Sequence, residues 1–558
     1  MKRSTVLRVM GGILIIALLI STVSLPAKAQ DTSGDPGMTV ESSVAYADAP
    51  VQAVAEILDS PPQLTEEQAA QLSWAEENTH LSPAVDKNTE TAVAGPVPGT
   101  ESGGTIQRPR SGEPLAPGDA QTFIWTQFGG SIPDGYKSNI MESSTDGKGW
   151  KMFSTGNWFA ARSVNKGTNW TFMNPFTDYP EFCCDQVVNF DFNRGVFLWL
   201  RQGVPSLVGG NYQNTFKLSV SFNEPFSAAY WTYTFTPTNT NGGWTNMWWD
   251  YPHVQLGADY MYISYNLFNQ TNNFVRTVML RFPLDALAAG AGFGYSYYSV
   301  TDWFTFVPVS GADHVMYFAS NWDATGSSTT LQIWRWYEDS GSLTFWNKDI
   351  PDWTPSGRGS MHCGSPNWLA RADMRVLTGA RYEVNNDGIA ESRQTGRKVL
   401  GWWWNVAEGG GFTYPYVEGA AFYEDTMTLL PGFLGRPYIY GGWCFAYPSM
   451  APDDRGDLGA IFNFSYSPDL QKPSVAYSIA DDYFHAPPGW DVNGAAGSNA
   501  GSSTATWGDY NTVRTYQNGT TWIAATHYIP GAVNCSNCSV PLWFSFGRER
   551  DSVNFRWW

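Results

Sequence analysis

"CDQVVNFDFNRGVFLWL" (184–200), "WDYPHVQLGADYMYISY" (249–265) and "GDYNTVRTYQNGTTWIA" (508–524) align on an Asp near their start. Each continues with Gln or Tyr and runs on as a short strand. A polar turn follows, then a second aromatic strand about ten residues after the Asp. Three looser copies surround Asp313, Asp373 and Asp457: "ADHVMYFASNW", "RADMRVLTGARY" and "RGDLGAIFNFSYS". Successive Asp are 65, 63, 60, 84 and 52 residues apart. A four-stranded propeller blade takes roughly 40–50 residues, and more with loops. "GNWFAARSVNKGTNW" (156–170) supplies one further unit ahead of Asp185. The expectation is an all-β protein, a β-propeller of about seven four-stranded blades over 119–558. If the hairpins are equivalent, Asp185, Asp250, Asp313, Asp373, Asp457 and Asp509 form a ring at one channel mouth. Each Asp also has a local reading, in which it caps its own turn by accepting from backbone N–H groups.

Composition agrees with many short strands. Aromatics are 16% of residues, charged residues only 15%, and there are 55 Gly. From "TFIWTQFGG" onward no long window holds a helical period. The net charge of −18 argues against nucleic-acid and anionic-membrane partners, which need clustered cations. Between Gln30 and Gly118 the only aromatics are Tyr46 and Trp74. That stretch is expected to be a low-complexity, mostly disordered linker. It carries one short helix at "LTEEQAAQLSWAEEN", where Thr65 and Gln68 fit a capping box. Ahead of it, Lys2, Arg3 and Arg8 precede the apolar run "GGILIIALLISTV", and "AKA" ends at Ala29. This is the pattern of a signal peptide over 1–29. The run is short for a membrane span of about 20 residues. The mature protein is therefore expected to be secreted, without a membrane span, and monomeric.

Six Cys in an exported chain point to disulfides: Cys183, Cys184, Cys363, Cys444, Cys535 and Cys538. Cys183 and Cys184 have three readings. They bridge separately to Cys363 and Cys444, or one stays free, or they bridge each other. In the last case 363–444 and 535–538 remain as pairs, and a flat sulfur surface lies beside Asp185. "CSNC" has a zinc half-site spacing, but no second C-x-x-C completes it.

"SVNKGTNW", Ser163 to Trp170, resembles the Asp-box S-x-D-x-G-x-T-W of the sialidase-like (BNR-repeat) propeller superfamily. Ser163, Gly167 and Trp170 match, while Asn165 and Asn169 replace its Asp and Thr. The stretches "DRGDLGAIFNF", "DDYFHAPPGW" and "WGDYNTVRTYQNGTTWIAATHY" also look like secreted bacterial propellers of that broad type. The resemblance spans roughly 120–550 and implies a propeller fold with glycosidase-like chemistry. The family's F/Y-R-I-P arginine motif is absent, so its catalytic residues do not carry over.

The residues themselves offer acid–base chemistry. Glycosidases use two carboxyl groups, one protonating the leaving oxygen. Asp250 and Asp509 are flanked by aromatics, and His253, Tyr510 and Arg514 follow closely. The candidate catalytic set is Asp250, Asp509, His253 and Tyr510. The candidate binding set is Cys183, Cys184, Asp185, Trp249, Asp373, Arg375, Asp457 and Arg514. A lyase would draw on Tyr510 or His253 as base, with Arg375 or Arg514 beside a uronate. An acidic ring could also hold Ca²⁺. The expected partner is an extracellular polysaccharide or glycoconjugate. Cleavage is one reading, and non-catalytic glycan or protein binding through aromatic faces is the other.

Overall fold

The computed structural model describes residues 40–78, 122–124, 130–131 and most of 143–551. Within that last span, 351–360, 385–395, 431–442, 467–472, 482–492, 498–506 and 530–538 are the longer stretches outside the description. The signal expected over 1–29, most of the linker, Asp509, Tyr510, Cys535 and Cys538 also lie outside the described residues.

The chain forms antiparallel meanders in a β-propeller arrangement. Met247–Leu256, Tyr260–Asn269, Phe274–Pro283 and Phe293–Val300 are typical, each pairing antiparallel with the one before. Tyr260–Asn269 reads YMYISYNLFN and is buried along nearly its whole length. A sheet sandwiched between two others has no polar face, so aromatics stand on both sides.

Among the described residues, Ser144–Lys148, Phe182–Asp191, Met247–Leu256, Val307–Ser310, Val376–Val384, Trp443–Pro452 and Thr512–Thr515 open successive meanders. Each touches the next, and Thr512–Thr515 comes back to Ser144–Lys148, closing a ring. Val307–Ser310 and Val376–Val384 pair in parallel, which merges two meanders into one seven-stranded sheet. These inner strands thus run in the same sense. The molecule has a start end, where they begin, and a far end, where they turn into the second strands.

The last sheet takes its outer strand from ahead of the first meander, Thr122–Ile124 against Val540–Arg548. Residues 40–78, read from sequence as linker, bind the propeller as a strap. Val40–Ala47 adds to Phe293–Val300, Val51–Val54 to Ala229–Phe235, and Ile57–Leu58 to Thr171–Met173. The helix Glu66–Asn78 follows. Composition misses such a strap because an edge strand is held by backbone bonds and needs no core side chains. Tyr46 is 65% exposed and Val51 73%.

Candidate functional site

At the start end Cys183 is bonded to Cys184, their Cα atoms 3.7 Å apart, and Cys363 is bonded to Cys444. Of the three open readings, the vicinal one holds. The helix lies over this pair: Ala75 is buried against both cysteines, with Trp74 and Val204 at the margin. Trp74 also meets Trp248 edge-on, ring centroids 5.7 Å apart. Thr65 and Gln68 make the expected reciprocal cap, the Gln68 N–H donating to Thr65 Oγ1 at 3.2 Å and the Thr65 N–H to Gln68 Oε1 at 2.9 Å. The sulfur surface beside Asp185 is therefore covered by protein.

Asp185 and Asp250 sit on adjacent inner strands, and both are fully buried. Gln202 reaches between the strands: its Nε2 donates to Asp250 Oδ1 at 3.2 Å and lies 3.9 Å from Cys184 Sγ. Burial pushes the Tyr265 hydroxyl well above the usual phenol range, and the charges of Asp185 and Asp250 push it further. Asp373 and Arg375 form a buried pair just ahead of Val376–Val384, with Arg375 Nε 2.8 Å from both carboxylate oxygens. The same guanidinium lies 4.4 Å from the centre of the Tyr251 ring. Tyr251 takes a left-handed φ of 59° at a bulge between Asp250 and His253, and its ring meets His253 edge-on at 4.9 Å. Asp185, Asp250, Tyr251, His253, Asp373 and Arg375 are thus all start-end residues of inner strands.

Other expected residues go elsewhere. Trp249 is core, packed against Phe216, Trp244 and Tyr265. Arg514 is buried next to Asp146, Nε to Oδ2 at 3.7 Å. The expected carboxylate ring divides. Asp313 and Asp457 precede second strands, Val315–Asp323 and Leu458–Tyr466, and so lie at the far end. There Asp313 pairs with Arg381 at 2.8 Å, and Asp457 with Arg455 at 3.3 Å. A polar turn precedes every strand, so an Asp before a strand does not report which strand follows. The three strong sequence copies start on inner strands; the copies at Asp313 and Asp457 are one strand out of register. Of the five carboxylates among the described residues, Asp313 and Asp457 lie at the opposite end from Asp185, Asp250 and Asp373, so these five do not form one Ca²⁺ ring; Asp509 lies outside the described residues.

The sequence reading missed a second recurrence. In five of the meanders an Asn or Gln stands late in the second strand and binds the segment that opens the next. Asn266 accepts the Thr305 N–H at 3.0 Å, Asn321 the Val376 N–H at 3.0 Å, and Asn405 the Tyr447 N–H at 2.7 Å. Asn463 accepts from Asn511 at 2.7 Å, and Gln202 plays the same part toward Asp250. Thr305 and Tyr447 have φ of 60° and 53°, so these bonds fix backbone that L residues rarely adopt. The signal was present in "LWLRQG", "ISYNLF", "FASNWD", "WWWNVA" and "IFNFSY".

Searches of protein-family models and of curated proteins return no match. Among solved structures, an α-L-arabinanase of Penicillium chrysogenum complexed with arabinobiose aligns at 9% identity, over 77% of this chain and 99% of that one, with a TM-score of 0.35. The GH93 α-L-arabinofuranosidase of Fusarium graminearum with arabinobiose aligns at 9% identity over 76% and 97%, TM-score 0.36. A Trypanosoma rangeli sialidase with the inhibitor DANA aligns at 10% identity over 64% and 54%, TM-score 0.32. At these scores no residue role is transferred from them.

Proposed function

We propose that this protein is an exported, carbohydrate-active propeller of about seven blades over 119–558, released from a leader at 1–29. It engages an extracellular polysaccharide or glycoconjugate at the start end of the inner strands, with glycoside cleavage as the leading chemistry. One observation carries the reading: Asp185 and Asp250 are both buried on neighbouring inner strands, where Gln202 Nε2 lies 3.2 Å from Asp250 Oδ1 and 3.9 Å from the Cys184 sulfur next to Asp185. Two carboxyl groups in one water-poor site are what protonation of a leaving oxygen and stabilisation of an oxocarbenium-like centre require. Arg375, His253 and Tyr251 border that site and could hold the sugar. The closed ring of seven inner strands supports the blade number. Two oxidised cysteine pairs support export into an oxidising compartment. In the Ser163–Trp170 turn, Ser163 Oγ accepts the Gly167 N–H at 2.8 Å and Asn165 Oδ1 the Asn169 N–H at 2.9 Å, which supports a degenerate Asp-box.

The helix favours a second reading. With Asp185 and Asp250 buried and Ala75 seated on the disulfide, a sugar reaches the carboxylates only if the helix moves. A non-catalytic glycan- or protein-binding propeller needs no such access. A polysaccharide array, scored in parallel for retention and for new reducing ends or unsaturated products, separates the two. Cleavage that disappears in Asp250→Asn and Asp185→Asn, with folding and retention kept, is the expected result. Retention without products, unchanged in both variants, replaces the enzyme with the binding module. Neither retention nor products rejects both.

A further inference from the structure

The far end holds a cluster that the start-end reading does not use. Asp259 lies in the turn after Met247–Leu256, His314 ahead of Val315–Asp323, and Glu338 directly after Gly326–Tyr337. Three turns from two neighbouring sheets thus bring one imidazole and two carboxylates together, all within 4.8 Å of one another. His314 Nδ1 is 3.4 Å from Asp259 Oδ2 and 3.6 Å from Glu338 Oε2. Those separations are long for a charge-assisted hydrogen bond, which closes to about 2.7–2.9 Å. They are close to the edge of a tetrahedron around an ion with bonds of about 2.0–2.2 Å, which is roughly 3.4 Å.

The ligand-bearing backbone is already fixed. The Glu338 N–H donates to the His314 carbonyl and the Ala258 N–H to the Asp313 carbonyl, both at 3.0 Å. The Asp259 N–H donates to Glu338 Oε2 at 3.0 Å. Arg194 holds the other oxygen of Asp259 at 3.6 Å, and the Tyr262 hydroxyl approaches Glu338 Oε1 at 3.4 Å. Such outer partners orient the ligands of a metal site. Glu338 is buried, so its carboxylate is held in place by the packing around it.

We propose that Asp259, His314 and Glu338 bind a divalent transition ion of the Zn²⁺ class. The donor set of one nitrogen and two oxygens suits zinc. His314 is 71% exposed and leaves the fourth position to water. The ion would staple two adjacent sheets at the far end, and it is independent of any sugar chemistry.

Titration of the chelator-treated full chain with Zn²⁺, followed by calorimetry and by thermal unfolding, tests this. The expected result is one saturable site that raises the unfolding midpoint, weakened about tenfold or more in both His314→Ala and Asp259→Asn. His362→Ala, at the exposed His362–Glu408 pair elsewhere, should leave binding unchanged. His314 and Asp259 are exposed, so the apo variants should unfold as the apo parent does. No saturable binding, or binding unaltered in His314→Ala and Asp259→Asn, overturns the site.

Discussion

The two ends of the inner strands are joined by different chemistry. Apart from the Asp373–Arg375 pair, which lies within one segment, the start end is held by neutral and covalent links. Both described disulfides lie there, as do the Asn–backbone bonds and the aromatic contacts of Trp368 with Trp507 at 5.6 Å and with Tyr447 at 6.3 Å. The far end is held by ion pairs. Arg194 reaches Asp285 at 2.6 Å, Arg381 reaches Asp313 at 2.8 Å, Arg455 reaches Asp551 at 2.9 Å, and Arg548 reaches Asp481 at 2.7 Å. Each crosses from one meander to the next. The difference has a physical source. Far-end pairs run from the exposed Asp285 to the fully buried Asp481, and in each an arginine offsets the desolvation of its carboxylate. The start end lies under the helix, where a stray charge would be expensive and neutral amides are cheaper to bury. The buried acids that remain at the start end therefore stand out as functional candidates.

The largest expected effect is at the most buried far-end pair. Arg548→Ala leaves Asp481 as a charge without its guanidinium in a dry site. Denaturant unfolding should show a loss of about 3–5 kcal/mol. A loss under about 1 kcal/mol would mean that this pair is solvated like a surface bridge, and the contrast between the ends would weaken.

Asp146 sharpens the comparison through pH. Burial raises its carboxyl to about 6, against Arg514 and the N–H groups of Phe190 and Gly147. The folded value lies above the unfolded one, so the protonated form favours folding. That contribution is complete below about pH 4 and fades as pH rises through about 6. It amounts to about 3 kcal/mol. Stability measured across pH 4–7 should fall less steeply in Asp146→Asn than in the parent. Identical slopes would show that Asp146 ionises freely in the folded state.

At the start end, Asn405→Ala removes the acceptor for the Tyr447 N–H and the donor to the Asp373 carbonyl. Buried groups left without partners cost about 1–3 kcal/mol. The change should also loosen the Tyr447 bulge, seen as faster amide exchange there. If exchange is unaltered, the Asn recurrence is incidental to the bulges. The smallest effect concerns the helix Glu66–Asn78 over the disulfide. Thr65→Ala removes one half of the cap and costs about 1 kcal/mol of helix stability. Reduction of Cys183–Cys184 by an added phosphine should then speed up, while Cys363–Cys444 is unaffected. Equal rates in parent and variant would show that the helix does not guard the pair.

Much of this molecule was legible in the chain. Alternating or aromatic runs separated by Gly, Asn, Asp and Pro pointed to short strands. The recurring hairpins announced a propeller. Thr65 and Gln68 announced the helix to within two residues of its start, because a capping box is local chemistry. The adjacency of Cys183 and Cys184 placed a vicinal bridge among the open readings. Other features depended on partners far away in sequence. Whether an Asp heads an inner or a second strand is decided by which hairpin it belongs to, so Asp313 and Asp457 were assigned to the wrong end. The strap over 40–58 is held by hydrogen bonds to the edges of three sheets, and backbone groups leave no mark in composition. The convergence of Asp259, His314 and Glu338 joins turns up to 79 residues apart. Local sequence determined the elements, since strand and cap preferences are set by neighbouring residues. Only the closure of the ring decided which carboxylates are buried under the helix and which meet an arginine, because burial and charge partners belong to the assembled sheets.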